Sequence, residues 1–133
     1  MLAITTKSPY AVSALIELAK CGASVPVPIG TLAERRGIPV QFLESLFAAL
    51  RRAGVLRSQR GVRGGYSFER SPSEVTVLEV VELLEGDLSA EAAKMGDIWD
   101  EGASALRGVL GAVTIADLAE REARESGALM YHI

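Results

Sequence analysis

The chain has 133 residues, 49% of them hydrophobic but only 5% aromatic, and a net charge of −3. That is one domain's worth of chain, with an aliphatic, alanine-rich core and enough apolar surface to bury part of it against a second copy. No apolar run approaches the ~20 residues of a membrane span, and the start shows no signal-peptide cleavage pattern. A single cysteine allows no internal disulfide and, with one histidine, no metal site, which points to a cytoplasmic address.

The charge is unevenly spread. Residues 31–70 hold eight arginines and three glutamates, whereas the rest carries six basic and fourteen acidic residues. A basic module inside an acidic chain is what a phosphate backbone attracts locally, although an arginine-rich solvated face would read the same way.

Taken in order, the first helix is expected over residues 7–21. Tyr10, Ala11, Ala14, Leu15, Leu18 and Cys21 share one face, and Gly22 closes it. Pro9 is tolerated only in the first turn. Residues 23–28 form a connector with two prolines. A short helix follows through Arg36. Thr31 and Glu34 have capping-box spacing, but Ile29, Leu32 and Ala33 favour a start near Pro28, which we prefer. Gly37-Ile38-Pro39 then forms the turn of a helix-turn-helix.

The next helix covers residues 40–53, with Phe42, Leu43, Leu46, Phe47 and Leu50 as its apolar stripe and Gly54 as its stop. Two strand-like runs, 55–58 and 66–68, flank the glycine-rich tip 61–65. A helix followed at once by a small hairpin with arginines at its tip is the layout of a winged helix-turn-helix, whose helix enters a major groove and whose wing reaches a minor groove.

Further on, Ser71-Pro72-Ser73 breaks the chain, and Thr76 to Glu79 caps a helix ending at Glu85. Residues 87–96 read as a connector without determined structure. A longer helix, 97–112, carries Ile98, Trp99, Gly102, Leu106, Val109 and Leu110, with Val113, on one side. Its stripe suits a core helix or a dimer interface. Thr114 to Asp117 resembles the cap of a last helix to about residue 125, followed by the tail SGALMYHI. The fold class expected is mainly α: a winged helix-turn-helix domain with a small β-hairpin wing (1–86), then a connector, a C-terminal dimerisation helix and a tail (87–133).

These motifs resemble the Rrf-two (Rrf2) family of bacterial winged-helix transcription regulators over nearly the whole chain. The likeness rests on Thr5-Thr6-Lys7 with Tyr10-Ala11, on Ile38 with Phe42-Leu43-Glu44-Ser45-Leu46, and on Leu50-Arg51 through Ser58. It continues through the wing, Arg60-Gly61 and Gly64-Gly65-Tyr66, then Glu79-Val80-Val81, Leu84-Glu85-Gly86, Trp99 and Thr114 to Leu118. The resemblance implies a homodimer that sets one helix-turn-helix in each half-site of palindromic double-stranded DNA. Carried onto this chain, Gln41, Phe42, Glu44 and Ser45 are the base-reading candidates: glutamine pairs with adenine and glutamate accepts from cytosine. Arg60 and Arg63, with Gly64 and Gly65, would form the minor-groove wing. Lys7, Arg51 and Arg57 would contact phosphates. Ile98, Trp99, Leu106, Val109 and Leu110 would form the dimer interface.

Three departures from the family stand out: Pro39 where serine is usual, Val62-Arg63 in place of proline-glycine, and Ser8-Pro9 in place of glycine-arginine. The last removes one potential phosphate contact. Cluster-binding members also carry three cysteines before the Trp99 helix, and residues 87–97 have none, so no cofactor is expected. With the ending Met130-Tyr-His-Ile133, the likeness runs to the cysteine-metabolism repressor branch, whose signal passes through cysteine synthase. Ile133 would be the docking end for that partner.

Rival readings attach to single residues. Cys21 is either a small apolar residue at a helix end or a redox thiol. His132 has no second ligand for a metal. No nucleophile–base–acid set and no phosphate-binding loop supports an enzyme, since residues 61–65 lack the lysine and spacing of a Walker loop. A protein-interaction adaptor that lost DNA binding is the stronger rival, and the arginine wing argues against it.

Overall fold

The computed structural model describes residues 4–22 and 24–131, the side chains of 128–131 excepted. The order is α1 (Lys7–Lys20), α2 (Ile29–Arg36), α3 (Val40–Arg52), β1 (Leu56–Gln59), β2 (Gly65–Phe68), α4 (Val77–Glu85), α5 (Ala92–Met95), α6 (Asp97–Gly111) and α7 (Ile115–Tyr131). Helices one to three and the antiparallel hairpin β1–β2 form a winged helix-turn-helix, as the sequence predicts.

Helices α1 to α3 bury the stripes that their spacing defines. Ala11, Ala14, Leu15 and Leu18 of α1 meet Leu32 and Ala33 of α2 and Leu43, Leu46, Phe47 and Leu50 of α3. Val55, Leu56 and Phe68 from the hairpin close the same core, as do Val75, Val80 and Ile115 from the C-terminal half. Phe47 is fully buried, and its loss would cost ~3–5 kcal/mol.

Helix α2 starts at Ile29 without a side-chain cap, so Thr31 and Glu34 do not act as a capping box. Gly37 follows at φ +63°, a left-handed turn that favours glycine and swings the chain into α3. Thr76 caps α4 by accepting the Glu79 N–H at 3.1 Å. At α7 the cap is reciprocal: Thr114 Oγ1 accepts the Asp117 N–H at 3.0 Å, and Asp117 Oδ2 accepts the Thr114 N–H at 2.9 Å. The two helix starts lie side by side, because Val77 N–H donates to the Val113 carbonyl and Ile115 N–H to that of Val75, both at 2.9 Å.

Three features differ from the sequence expectation. Residues 87–96 are not an open connector. Asp87 accepts the Ser89 N–H at 2.9 Å, Leu88 and Ala92 are buried, and the short helix α5 packs on α6. The signal was an apolar pair at helical spacing in a polar segment. The last helix runs to Tyr131 rather than about 125, because Gly127 costs a helix only ~1 kcal/mol without a proline to stop it. It packs along α1. Finally, Val27 of the 23–28 connector pairs with Tyr66 through two 2.8 Å backbone bonds, adding a third edge to the wing. His132 and Ile133 lie outside the described residues. No helix among those described is long and apolar enough to cross a membrane.

Candidate nucleic-acid interface

Helix α3 turns its apolar stripe inward and leaves Val40, Gln41, Glu44 and Ser45 exposed over its first two turns. Gln41 and Ser45, and likewise Val40 and Glu44, are spaced i, i+4, so these four make one outer face. Phe42 differs from the other base-reading candidates. It is half-buried, with its ring edge-on to Tyr10 at 5.7 Å, so it braces α3 against α1. Pro39 precedes the helix without a side-chain cap, where serine would have supplied one.

The wing is pinned at its base and open at its tip. Tyr66 stacks edge-on against Phe47 at 5.2 Å, which anchors β2 to the core. The Gly64 N–H donates to the Gly61 carbonyl at 3.0 Å, closing a turn with Val62 and Arg63 at its corner. The two glycines after it answer to the chain's own backbone. A Cβ on Gly64 would lie 2.1 Å from the Gln59 carbonyl oxygen. One on Gly65, which sits at φ +145°, would lie 2.3 Å from the Val27 carbonyl. Both positions therefore exclude a side chain whatever the wing touches.

The eight arginines of this module divide by pairing. Arg36 binds Glu17 at 3.0 Å and Glu122 at 2.9 Å, and Arg35 reaches Glu17 at 3.4 Å. Arg70 is paired with Glu79, and Arg57 with Glu69 at 2.7 Å across the base of the hairpin. Arg51, Arg52, Arg60 and Arg63 are exposed and have no carboxylate partner among the described residues. The structure thus takes Arg57 into an exposed ion pair that a phosphate would have to displace, and adds Arg52, which the sequence reading passed over despite its place in the Arg51-Arg52 pair. The carboxyl of Glu69 is held below its usual range by the Arg57 hydrogen bond and charge.

Elsewhere, Lys7 is exposed at the start of α1. Cys21 is half-buried just after α1, and the Arg35 guanidinium donates to its Sγ at 3.4 Å. On α6, Ile98, Trp99 and Val109 stand 69%, 52% and 65% exposed, while Leu106 and Leu110 are half-buried and Ala103 faces the core. Arg107 ties α6 to α4 through Glu82 at 3.3 Å.

A wing and recognition helix carrying unpaired arginines define a DNA-binding transcription regulator. The comparisons with known proteins agree. A family profile, Rrf2, described as an iron-dependent transcriptional regulator, matches residues 4–121, and the chain belongs to that family. The transcriptional regulator CymR of Bacillus subtilis is 33% identical over 98% of this chain and 99% of its own length. IscR of Photorhabdus laumondii is 30% identical over 90% of this chain and 80% of its own. The solved structure of B. subtilis CymR, titled the global cysteine regulator, superposes with a TM-score of 0.80 at 32% identity, covering 91% of this chain and 98% of that one. These relatives are regulators, not enzymes, and they favour neither an adaptor nor a thiol sensor.

The iron in the family description finds no fit here. Cys21 is the single cysteine of the sequence, and the described residues contain no group of three or more histidine, cysteine or acidic side chains able to hold a metal. A cluster needs several thiolates. One thiol beside Arg35 does not supply them.

Proposed function

We propose that the chain acts as a homodimeric repressor of sulfur or cysteine metabolism, working without an iron–sulfur cluster. The observation that carries the DNA-binding geometry is the set of unpaired arginines on one helix end and one wing. In this reading residues 1–86 bind DNA and residues 87–133 hold the connector, dimerisation helix and tail, with α7 folded back on α1. Gln41, Glu44 and Ser45 read base edges in the major groove, and Phe42 fixes the angle of α3 through Tyr10. Glu44 repels phosphates, so it sharpens specificity more than it adds affinity. Arg60 enters the minor groove with Arg63 beside it, and Lys7, Arg51 and Arg52 hold phosphates, with Arg57 joining once released from Glu69.

The exposed Ile98, Trp99 and Val109, flanked by Leu106 and Leu110, support a two-fold interface along α6. The cysteine-metabolism assignment is supported by the likeness to CymR and by the absence of cysteine from residues 87–97. A cytoplasmic location fits a DNA target. Docking of cysteine synthase rests on the ending Met130-Tyr-His-Ile133 alone, and titration of the enzyme with a synthetic peptide of that ending tests it.

The principal test is selection of bound sequences from a random DNA library with the purified protein. A palindrome with half-site centres about one helical turn apart, ~34–36 Å, is expected, and its promoters name the pathway. No enriched motif at low salt, where phosphate contacts are strongest, would overturn the reading.

A further inference from the structure

One carboxylate gathers the start of α1. Glu85 Oε2 accepts the Thr5 backbone N–H and the Ser8 hydroxyl, each at 2.8 Å, and Oε1 accepts the Thr5 hydroxyl at 2.8 Å. The Lys7 N–H in turn donates to Thr5 Oγ1 at 3.2 Å. Thr6, at the N-cap position, makes no side-chain cap bond, so the entry of α1 is fastened from outside by the last residue of α4. Ser8 is only 2% exposed, and Glu85 satisfies its buried hydroxyl. Burial opposes the charge on Glu85, but the Ser8 and Thr5 donors outweigh it and hold the carboxyl below its usual range.

These bonds bracket Lys7. Glu85 holds the Thr5 backbone two residues before it and the Ser8 side chain one residue after it, while the Lys7 ammonium is exposed and forms no ion pair among the described residues. Lys7 is the one basic residue before Lys20. Glu85 spends its oxygens on hydroxyl and amide donors, which leaves the neighbouring cation free for an outside anion.

We infer that Glu85 is a positioning residue for DNA binding, fixing Thr5 and Ser8 on either side of Lys7 so that its ammonium meets a backbone phosphate. The inference rests on the reading of Lys7 as a phosphate contact. The clamp also joins the DNA-facing end of α1 to the end of α4, from which the chain runs through Gly86 to α5 and α6. A shift of that end is therefore felt at Lys7.

The test is affinity of the full-length protein for its selected operator between about 50 and 200 mM salt, with thermal melting in parallel. Lys7→Ala is expected to weaken binding roughly three- to tenfold and to lower the salt slope by about one. Glu85→Ala should reproduce both effects, and the double variant should be no weaker than Lys7→Ala alone, whereas Arg60→Ala should multiply with each of them. Glu85→Gln, which keeps an acceptor oxygen, should recover part of the loss. If Glu85→Ala does not fold, Thr5→Val and Ser8→Ala carry the same cycle with Lys7→Ala. A Glu85 variant that melts earlier yet keeps affinity and slope, or whose loss adds in full to that of Lys7→Ala, overturns the clamp. Neutral Lys7→Ala beside a weakened Arg60→Ala also overturns it but leaves the DNA-binding reading intact. Neutrality of both overturns the clamp and removes Arg60 from the groove as well.

Discussion

The flank where α1, α2 and α7 meet and the tip of the wing are both rich in arginine, and they differ in what the arginines face. On the flank, Arg36 is 16% exposed between Glu17 and Glu122, and Lys20 adds a second bond to Glu122 at 3.3 Å. At the tip, Arg60 and Arg63 extend from a turn with no acidic side chain paired to them among the described residues. The first set fastens helices and the second is available to an outside polyanion. A net count of charges does not separate them, because a guanidinium already bidentate to carboxylate has little left for phosphate.

The largest effect that would break this contrast is loss of the wing itself. Gly65→Ala places a Cβ against the Val27 carbonyl at a backbone angle that alanine resists. It is expected to cost about 2–4 kcal/mol, seen as a lower denaturation midpoint, and to abolish operator binding. A variant with unchanged stability would show that the Val27–Tyr66 pairing is dispensable. Next, Arg60→Ala should leave melting unchanged and weaken DNA binding about tenfold, most at operators with a narrow A·T minor groove. Unchanged affinity would remove Arg60 from the groove.

Arg36→Met should do the opposite: a stability loss of about 1–2 kcal/mol, since Glu17 and Glu122 would lose the cation between them and keep only the more exposed Arg35 and Lys20, with operator affinity of the folded protein retained. The same flank should be sensitive to acid. The Arg36 hydrogen bond, against partial burial, holds the Glu122 carboxyl below its usual range. Its contribution is therefore fully present above the unfolded glutamate value of about 4.3 and is lost as pH falls through the lower folded value. Acid titration of Tm should flatten in Arg36→Met, and an identical profile would show that the pair contributes nothing to acid stability. Smallest of all, Arg57→Ala should leave the melting curve unaltered, because both it and its partner Glu69 are exposed to solvent. A clear loss of stability there would mean that the two sets of arginines are not distinct.

Much of the fold could be read in advance. The stripe from Phe42 to Leu50, the stop at Gly54 and the glycines of the tip are short-range signals, and period and turn chemistry suffice to place α3 and the wing. The starts of α4 and α7 were legible for the same reason, since a threonine cap acts within three residues. The exposed candidates on α3 were legible as the complement of its buried stripe. Phe42 was harder, because its place beside Tyr10 depends on how α1 crosses α3.

Local register was written in the chain: which residues form each helix, which side of it is apolar, and where the hairpin turns. The packed fold was needed to show which arginines are held and which are free, that Val27 joins the wing, that Leu88 and Ala92 close over α6, and that Glu85 fastens the start of α1. The difference is one of range. Periodicity and capping act over a few residues, whereas Arg36 finds Glu122 across 86 positions and Thr5 finds Glu85 across 80, and nothing in the local pattern encodes which distant partner an exposed charge will meet.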